Sequence, residues 1–470
     1  MKCKPLSYDS LKTVIRYMNP NLRFLLSSRA PSIRTAERAV PLKIDKLLIG
    51  KHAIRVDEFV YEFEVYQVDC EDKIPYKVSG DGELNFIWTC NVDKFGVRDY
   101  ITRAGGMLPG NNGFNEKNLF GDYDLENIPT NEGRLQKLKR RLNVEKQRYN
   151  QLINYQPKDN LTNDKNSIFN FICIHHKVTR KYKKEELELL ENEEMVKKAI
   201  EYTNEKIKDM ENELLPFENK RKNIRPIFEI HLTKQQSNSK SCVIERVKYT
   251  GDLHKAGDSL MKFMFGKRQH AVQVNELWIY SKCQMLQLPF NLKMKIKHLN
   301  LMTNVSSISE IIKPIIEESS FPCEKLKIYS RLDERQKLDL EFIKHFKTLE
   351  IEGVTDLTLP FIQNLENQIV NIQVYTNLLL QSPDFINLIK NWVAINKPIG
   401  TCFTFYCYQD DSVLIQIINR ARDQIEGAIA GDKCVNIPMR NSAVLKVSYE
   451  QIDFNILNKF LFTMAVMSSE

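Results

Sequence analysis

The chain has 470 residues, 42% of them apolar and 27% charged, with a formal net charge of +8. That is the composition of a globular chain with a sizeable core, long enough for about three domains at roughly 100–200 residues each. The charge is mild for such a length and is no signature of nucleic-acid binding. No apolar segment follows the opening Met-Lys-Cys-Lys, and no stretch approaches the ~18 apolar residues of a membrane span, so neither a secretory signal nor a spanning helix is expected. The ten cysteines form no Cys-x-x-Cys pair, which excludes a zinc site or disulfide framework and fits a reducing compartment, cytoplasmic or nuclear.

Residues 5–40 read as short helices. Leu11, Val14, Ile15 and Met18 recur at helical spacing, with Asp9 or Ser10 as cap and Asn19-Pro20 as the stop. A second cluster, Leu22, Phe24, Leu25 and Leu26, follows, and Pro31 and Pro41 bound a third segment. Helices this short bury little alone and must pack on the rest of the chain or on a partner. From residue 42 to 103 the period changes to two: Phe59 to Gln67 alternates like a strand, and Leu84 to Val92 reads the same way. Gly105 to Gly113 reads as a loop.

Two heptad stretches come next, over residues 131–156 and 184–215. Leu135, Leu138, Leu142, Tyr149 and Leu152 form the first stripe; Val196, Ile200, Thr203, Ile207, Met210 and Leu214 form the second. The first is rich in Lys and Arg, the second in Glu. An antiparallel arm within the chain is the simplest arrangement, and pairing between chains is the alternative. Strand-like patterning returns over residues 226–249, with Gln235 to Lys240 as a hairpin loop.

From residue 274 a six-residue frame, apolar-x-x-apolar-x-apolar, recurs. It begins at Val274, Ile296, Cys323, Phe346 and Ile369, with helix-like stretches such as Ile308–Glu318 and Asp339–His345 between. Leucine-rich repeats run about 20–29 residues with Asn or Cys shortly after the last apolar residue, a position that Asn304 and Asn377 occupy. The spacing points to stacked strand–turn–helix units burying one continuous core. An ordinary α/β domain with the same elements is the alternative. Stacking would place Trp278, Tyr280, Lys327, Tyr329, Glu350, Glu352, Gln373 and Tyr375 on the outward strand face, a candidate surface for a target protein.

Catalytic signatures are missing. Gly105, Gly106, Gly110 and Gly113 lack the Gly-Lys-Ser/Thr ending of a phosphate loop, and His175-His176 has no third ligand at metal spacing. Neither a nucleophile elbow nor the kinase motif set is present. No catalytic residue, metal or cofactor is therefore expected. The basic run Arg134 to Arg148 sits on a heptad helix with few aromatics, so a solvated or Glu-paired face is the economical reading, and a nucleic-acid role is the less favoured one.

Three stretches carry a family resemblance. Pro5-Leu6-Ser7-Tyr8-Asp9-Ser10-Leu11-Lys12 leads to Ser28-Arg29-Ala30-Pro31-Ser32 and Val40-Pro41-Leu42. Leu215-Pro216-Phe217-Glu218 leads to Arg221-Lys222-Asn223, Pro226 and Glu245-Arg246-Val247. Met264-Phe265-Gly266-Lys267-Arg268 leads to Val274-Asn275-Glu276-Leu277 and Leu288-Pro289. Together they resemble the nematode F-box C family, which joins a degenerate F-box to a domain of unknown function. The resemblance implies docking on the Skp-type linker subunit of a cullin–RING (SCF-type) ubiquitin ligase, through Leu6, Leu11, Val14, Ile15, Leu22, Leu25 and Leu26, with the target held by the C-terminal part. The sparse apolar anchors and the absence of the usual late Trp depart from a generic F-box. A stand-alone interaction module without ligase docking is the alternative. The expected fold is α+β: an F-box-like helical segment (1–42), a β-rich domain (43–130), a helical coiled-coil arm of heptad helices with an intervening strand (131–225) and an irregular leucine-rich-repeat-like α/β domain (226–470).

Overall fold

The computed structural model describes residues 7–469 except 51, 71–74, 79–90, 99–129, 158–164, 178–179, 237–238, 281–287, 290, 303–304, 330–338, 355–358, 375–379, 381, 383, 409–410 and 453–458. The fold is mixed α/β, and the chain forms two compact units. One holds Met1–Val60, Gln236–Asn238 and Asp258–Glu470; the other holds Tyr61–Gln235 and Ser239–Gly257.

The first unit opens with α1 (Tyr8–Arg16), α2 (Pro20–Arg29) and α3 (Arg34–Arg38). The cap of the first helix sits two or three residues before its expected place. Ser7, not Asp9 or Ser10, caps α1, its hydroxyl accepting from the Ser10 N–H; Asp9 lies in the first turn, where its charge suits the helix dipole. Asn19 caps α2 by accepting from the Asn21 N–H at 2.8 Å, with Pro20 at the first helical position. Ile15 is buried with Ala36 and Val40, and Leu11 and Met18 pack against them. Behind them lies a buried ion triad. Arg23 and Arg268 both reach the Glu37 carboxylate, at 2.9 and 3.0 Å, and Arg23 also donates to the carbonyls of Glu37, Val40 and Pro41. Burial pushes both guanidinium pKa values down, and the Glu37 charge opposes that.

The hairpin β1 (Lys43–Gly50) and β2 (Ala53–Val56) follows. Just past β2, the turn residue Asp57 has a positive φ and accepts the Asp45 and Lys46 N–H groups on its carboxylate.

The second unit runs through β3 (Phe59–Gln67), β4 (Tyr76–Lys77), α4 (Asn131–Ile153), α5 (Lys165–Lys177), α6 (Lys184–Leu187), α7 (Glu193–Lys222), β5 (Phe228–Gln236) and β6 (Cys242–Lys248). Thr130 and Asn192 cap α4 and α7, and between them the described residues form helices α5 and α6 where a strand is expected. The two long helices pack on each other within the chain and run antiparallel. Leu138 and Leu142 meet Ile207 and Met210, while Leu152 meets Met195, Val196 and Ala199 near the other end. Lys146 pairs with Glu211 at 2.7 Å across them, an exposed contact of about 0.2–1 kcal/mol. Arg148, 1% exposed, donates to Glu145, to the carbonyls of Arg180 and His175, and lies over the Tyr182 ring. The Leu84–Val92 stretch lies outside the described residues up to position 90, and so does the Gly105–Gly113 segment.

The chain then crosses α8 (His254–Phe265) and returns to the first unit. It continues through β7 (Val272–Tyr280), β8 (Met294–Leu301), α9 (Val305–Ile312), β9 (Cys323–Tyr329), α10 (Leu340–Ile343), β10 (Phe346–Val354), α11 (Leu359–Gln363), β11 (Ile369–Val374), α12 (Phe385–Ala394), β12 (Cys402–Tyr408), α13 (Asp411–Gln424), β13 (Ile429–Gly431), β14 (Cys434–Pro438), β15 (Ala443–Ile452) and β16 (Lys459–Ser468). Strand order in this unit is β13-β14-β15-β16-β12-β11-β10-β9-β8-β7-β1-β2. From β1 through β7 to β12 every neighbouring pair is parallel, and β16, β15, β14 and β13 extend the sheet antiparallel.

The register explains the recurring frame. Leu47, Leu277, Leu299, Leu326, Leu349, Val370 and Phe403 stand in one row across the parallel strands, all at most 0% exposed. Each such burial stabilises by roughly 1.5–3 kcal/mol. Intervening helices cover this face: Phe385 meets Phe405 and Phe462, Trp392 meets Phe403, and Phe342 meets Phe346. The first row member, Leu47, belongs to Ile44-x-x-Leu47-x-Ile49, a copy of the frame far upstream of the others. Near the other end the frame slips by two residues. Ile372 pairs with Ile351, not Leu349, and Ile369 is 38% exposed. The slot opening that unit belongs to Asn367, which is buried and donates to the carbonyls of Ile343 and Phe346 at 2.9 and 2.6 Å. It satisfies backbone groups where the preceding unit turns into its strand. Asn304 and Asn377, the expected turn residues, lie outside the described residues.

Candidate functional site

The outward positions of the parallel strands form the site. Strand side chains alternate, so the residues between the buried row positions share the opposite face. Register sets Leu48, Trp278, Asn300, Lys327, Glu350 and Asn371 in one line. Trp278 on β7 reaches across β8 and stacks on Tyr329 of β9, with centroids 5.8 Å apart and planes at 24°. Asn300, on the strand between them, is only 5% exposed.

Lysines and carboxylates hold the two rings. Lys46 of β1 lies 4.8 Å from the Trp278 centroid, and Lys327 lies 4.6 Å from that of Tyr329. Such contacts contribute about 0.5–1 kcal/mol each where solvent reaches them. The Trp278 indole N–H donates to Glu276 at 3.1 Å. Lys327 pairs with Glu352 at 2.7 Å and Glu350 at 3.6 Å, and Lys325 with Glu350 at 2.6 Å. Burial works against the Lys327 charge, but bonding to Glu352 and Tyr329 outweighs it and holds the ammonium above its ordinary pKa.

Of the expected target-face residues, Trp278, Lys327, Tyr329, Glu350 and Glu352 are thus brought together. Gln373 is half-buried on β11. Tyr280 ends β7, but its side chain lies outside the described residues, as does all of Tyr375. Lys46 and Glu276 are neighbours of Trp278 that the pattern did not single out.

The expected docking residues divide. Ile15 is buried and Leu11 packs beside it, so both hold the helices together. Val14 and Leu22 are 47% and 43% exposed, joined by Tyr8 and Tyr17 at 51% and 84%. Leu25 and Leu26 are half-buried. Leu6 lies outside the described residues.

Little here resembles reaction chemistry. An open groove of about 810 Å³ at the N-terminal ends of β1, β7, β8 and β9 is lined by Lys43, Lys295 and Lys297 but also by Asp45, Asp57 and Glu324, so it favours neither sign of ionic ligand. Burial pushes the Cys323 and Cys407 thiols up to about 12, far from a reactive thiolate. Among the described residues no group of His, Cys, Asp and Glu is placed to hold a metal ion, and no helix is long and apolar enough to cross a membrane.

The fold and site together describe a mixed α/β chain that offers a polar and aromatic sheet face. Residues 252–409, which run from just before α8 through β12, match the family described as Domain of unknown function (DUF3557). No curated protein and no solved structure matches the chain.

Proposed function

We propose that this protein is a substrate-recognition adaptor of a cullin–RING ubiquitin ligase. In this reading the parallel strands are irregular leucine-rich-repeat-like units whose outward face holds a target protein. The observation that carries it is the Trp278–Tyr329 stack. Two large aromatic rings, held by Lys46, Lys327 and Glu276 on a regular sheet, form a pre-organised contact patch, and such aromatic anchors dominate protein interfaces. Trp278→Ala and Tyr329→Ala, once a target is identified by proximity labelling, are each expected to weaken binding by about 2 kcal/mol or more, roughly thirtyfold. Unchanged affinity in calorimetry would remove the face from the reading.

The N-terminal helices supply the ligase side. Tyr8, Val14, Tyr17 and Leu22 leave apolar surface on α1 and at the α1–α2 junction that an F-box-like segment would place against the Skp-type linker subunit. A pull-down of the purified full-length chain with that subunit tests it. The control is Val14→Asp with Leu22→Asp, which alters exposed positions and leaves the Ile15 cluster intact. Capture that the double variant loses supports the adaptor. Absence of capture by folded wild-type protein leaves the second reading, a stand-alone interaction module. The engagement of Leu11 and Ile15 in intrachain packing favours that second reading, since it gives the segment a structural role without a partner. Neither reading assigns a catalytic residue or cofactor to this chain. A nucleic-acid role is less favoured, because Arg134, Lys137 and Arg148 of the basic run are buried in the helical pair.

A further inference from the structure

The second unit ends in an edge strand of unusual exposure. Strand β6 closes the strand order beyond β5, with which it pairs antiparallel, so among the described residues its other edge carries no strand. Every residue from Lys240 to Lys248 is exposed. Val243, Ile244 and Val247 are 44%, 46% and 43% exposed, β-branched side chains left in water. The pairing shifts between Leu232 and Thr233, opposite Glu245 and Val243, so Ile244 is the extra residue of a bulge. Among the described residues this edge leaves backbone N–H and C=O groups without a strand partner, and such an edge takes up extended chains of suitable sequence.

The charges select the occupant. Lys240, Arg246 and Lys248 face a single acid, Glu245, over this stretch. A second copy is disfavoured, because pairing β6 with itself sets two strands, each with Lys240, Arg246 and Lys248 against the single acid Glu245, beside one another, and like charges opposed across a strand pair are destabilising. An acidic strand meets the reverse situation.

We infer that β6 is a docking edge for an acidic, extended segment of another protein, which adds to the sheet as a further strand. Backbone hydrogen bonds to β6 hold the segment. Its β-branched side chains pack on Val243, Ile244 and Val247, and its carboxylates meet Lys240, Arg246 and Lys248. This site is separate from the target face around Trp278, and its test does not depend on that reading.

The experiment uses the full chain and two fluorescein-labelled peptides, one alternating glutamate with valine and one alternating lysine with valine. Fluorescence anisotropy should show saturable binding of the glutamate peptide. Arg246→Glu with Lys248→Glu, both at exposed positions, should weaken it by about tenfold or more and admit the lysine peptide instead. Circular dichroism shows whether the double variant remains folded, and Val243→Thr with Val247→Thr, which keeps every charge, should weaken the glutamate peptide. A glutamate peptide labelled with carbon-13 at its carbonyls should shift its infrared amide band to the strand position on binding. Three results overturn the inference: no binding of the glutamate peptide, equal binding by wild type and the charge-reversed variant, or binding without the strand signature. Sedimentation of the wild-type chain as a dimer that the charge reversal dissociates would assign the edge to a second copy and overturn it as well.

Discussion

Glu37→Ala is expected to lower the stability of the first unit by about 3–5 kcal/mol, a large part of the ~5–15 kcal/mol that holds a folded domain. The reason is the company that Glu37 keeps. Arg23 is 2% exposed and its guanidinium is otherwise matched only by neutral carbonyls; Arg268 donates to Glu37 and to the Met264 carbonyl. Among the described residues no other carboxylate pairs with them, so removing Glu37 leaves two buried guanidinium groups that repel each other. Their depressed pKa values already record the cost of burial, with Glu37 as the opposing influence. The effect should reach beyond the helices, because Arg268 leads into β7 and the Gln269 N–H donates to the Arg38 carbonyl. Urea unfolding followed by tryptophan fluorescence reads it. A midpoint within error of wild type would mean that packing around Ile15 and Phe24, not the ion triad, fixes this corner.

Arg148→Met is expected to cost about as much in the second unit, and to do so in a pH-dependent way. Arg148 supplies the Glu145 carboxylate with a bond of 2.7 Å, beside His175 at 3.3 Å, and also donates to the Arg180 carbonyl, so the substitution removes the main counter-charge of a buried acid and a donor to a carbonyl at once. Burial already raises the Glu145 pKa above the ordinary carboxylate value, with Arg148 as the main opposing influence. The sign follows from linkage. A carboxyl whose folded pKa is raised favours folding below its unfolded value and loses that contribution as pH rises through the folded one. Without Arg148 the folded pKa rises further, so the deficit should be greatest at neutral pH. It should shrink as acid neutralises Glu145. Urea midpoints of wild type and variant across a pH series test it, and a deficit that stays constant with pH would show that Glu145 is not the group left stranded.

The helical and strand elements were legible where one physical rule dominated. The two heptad stripes put Leu138, Leu142, Ile207 and Met210 on the faces that meet, since a stripe at that spacing has nowhere else to go. The five downstream frames marked the strands, and four of them marked the register. The fifth slipped because Ile369 is apolar yet points outward, while the polar Asn367 is buried to serve two carbonyls. A pattern of apolar letters cannot distinguish a buried amide with partners from a solvated one. Ile44-x-x-Leu47-x-Ile49 escaped for a different reason: its spacing to the other copies has no period, and only the fold brings it beside Leu277. Lys46 was missed with it, so the aromatic stack was legible while one of the cations holding it was not. The exposure of β6 was not legible either, because Val243, Ile244 and Val247 have the composition of a half-buried strand.

The pairing of β1 with β7 sets a schedule for biosynthesis. The contact between Asp45 and Asn275 spans 230 positions of chain. At ribosomal speeds of roughly 5–20 residues per second, β1 waits about 10–50 s for the strand beside which it lies. During that interval only the turn to β2 occupies it, and its other edge is open. The ordered stacking of β7 through β12, each on the strand made just before it, can proceed as the chain emerges. The slow contact is therefore at the start of the sheet. Chaperone dependence in newly made chains should concentrate on the segment around Leu47 and Ile49, rather than on the longer run of strands that follows.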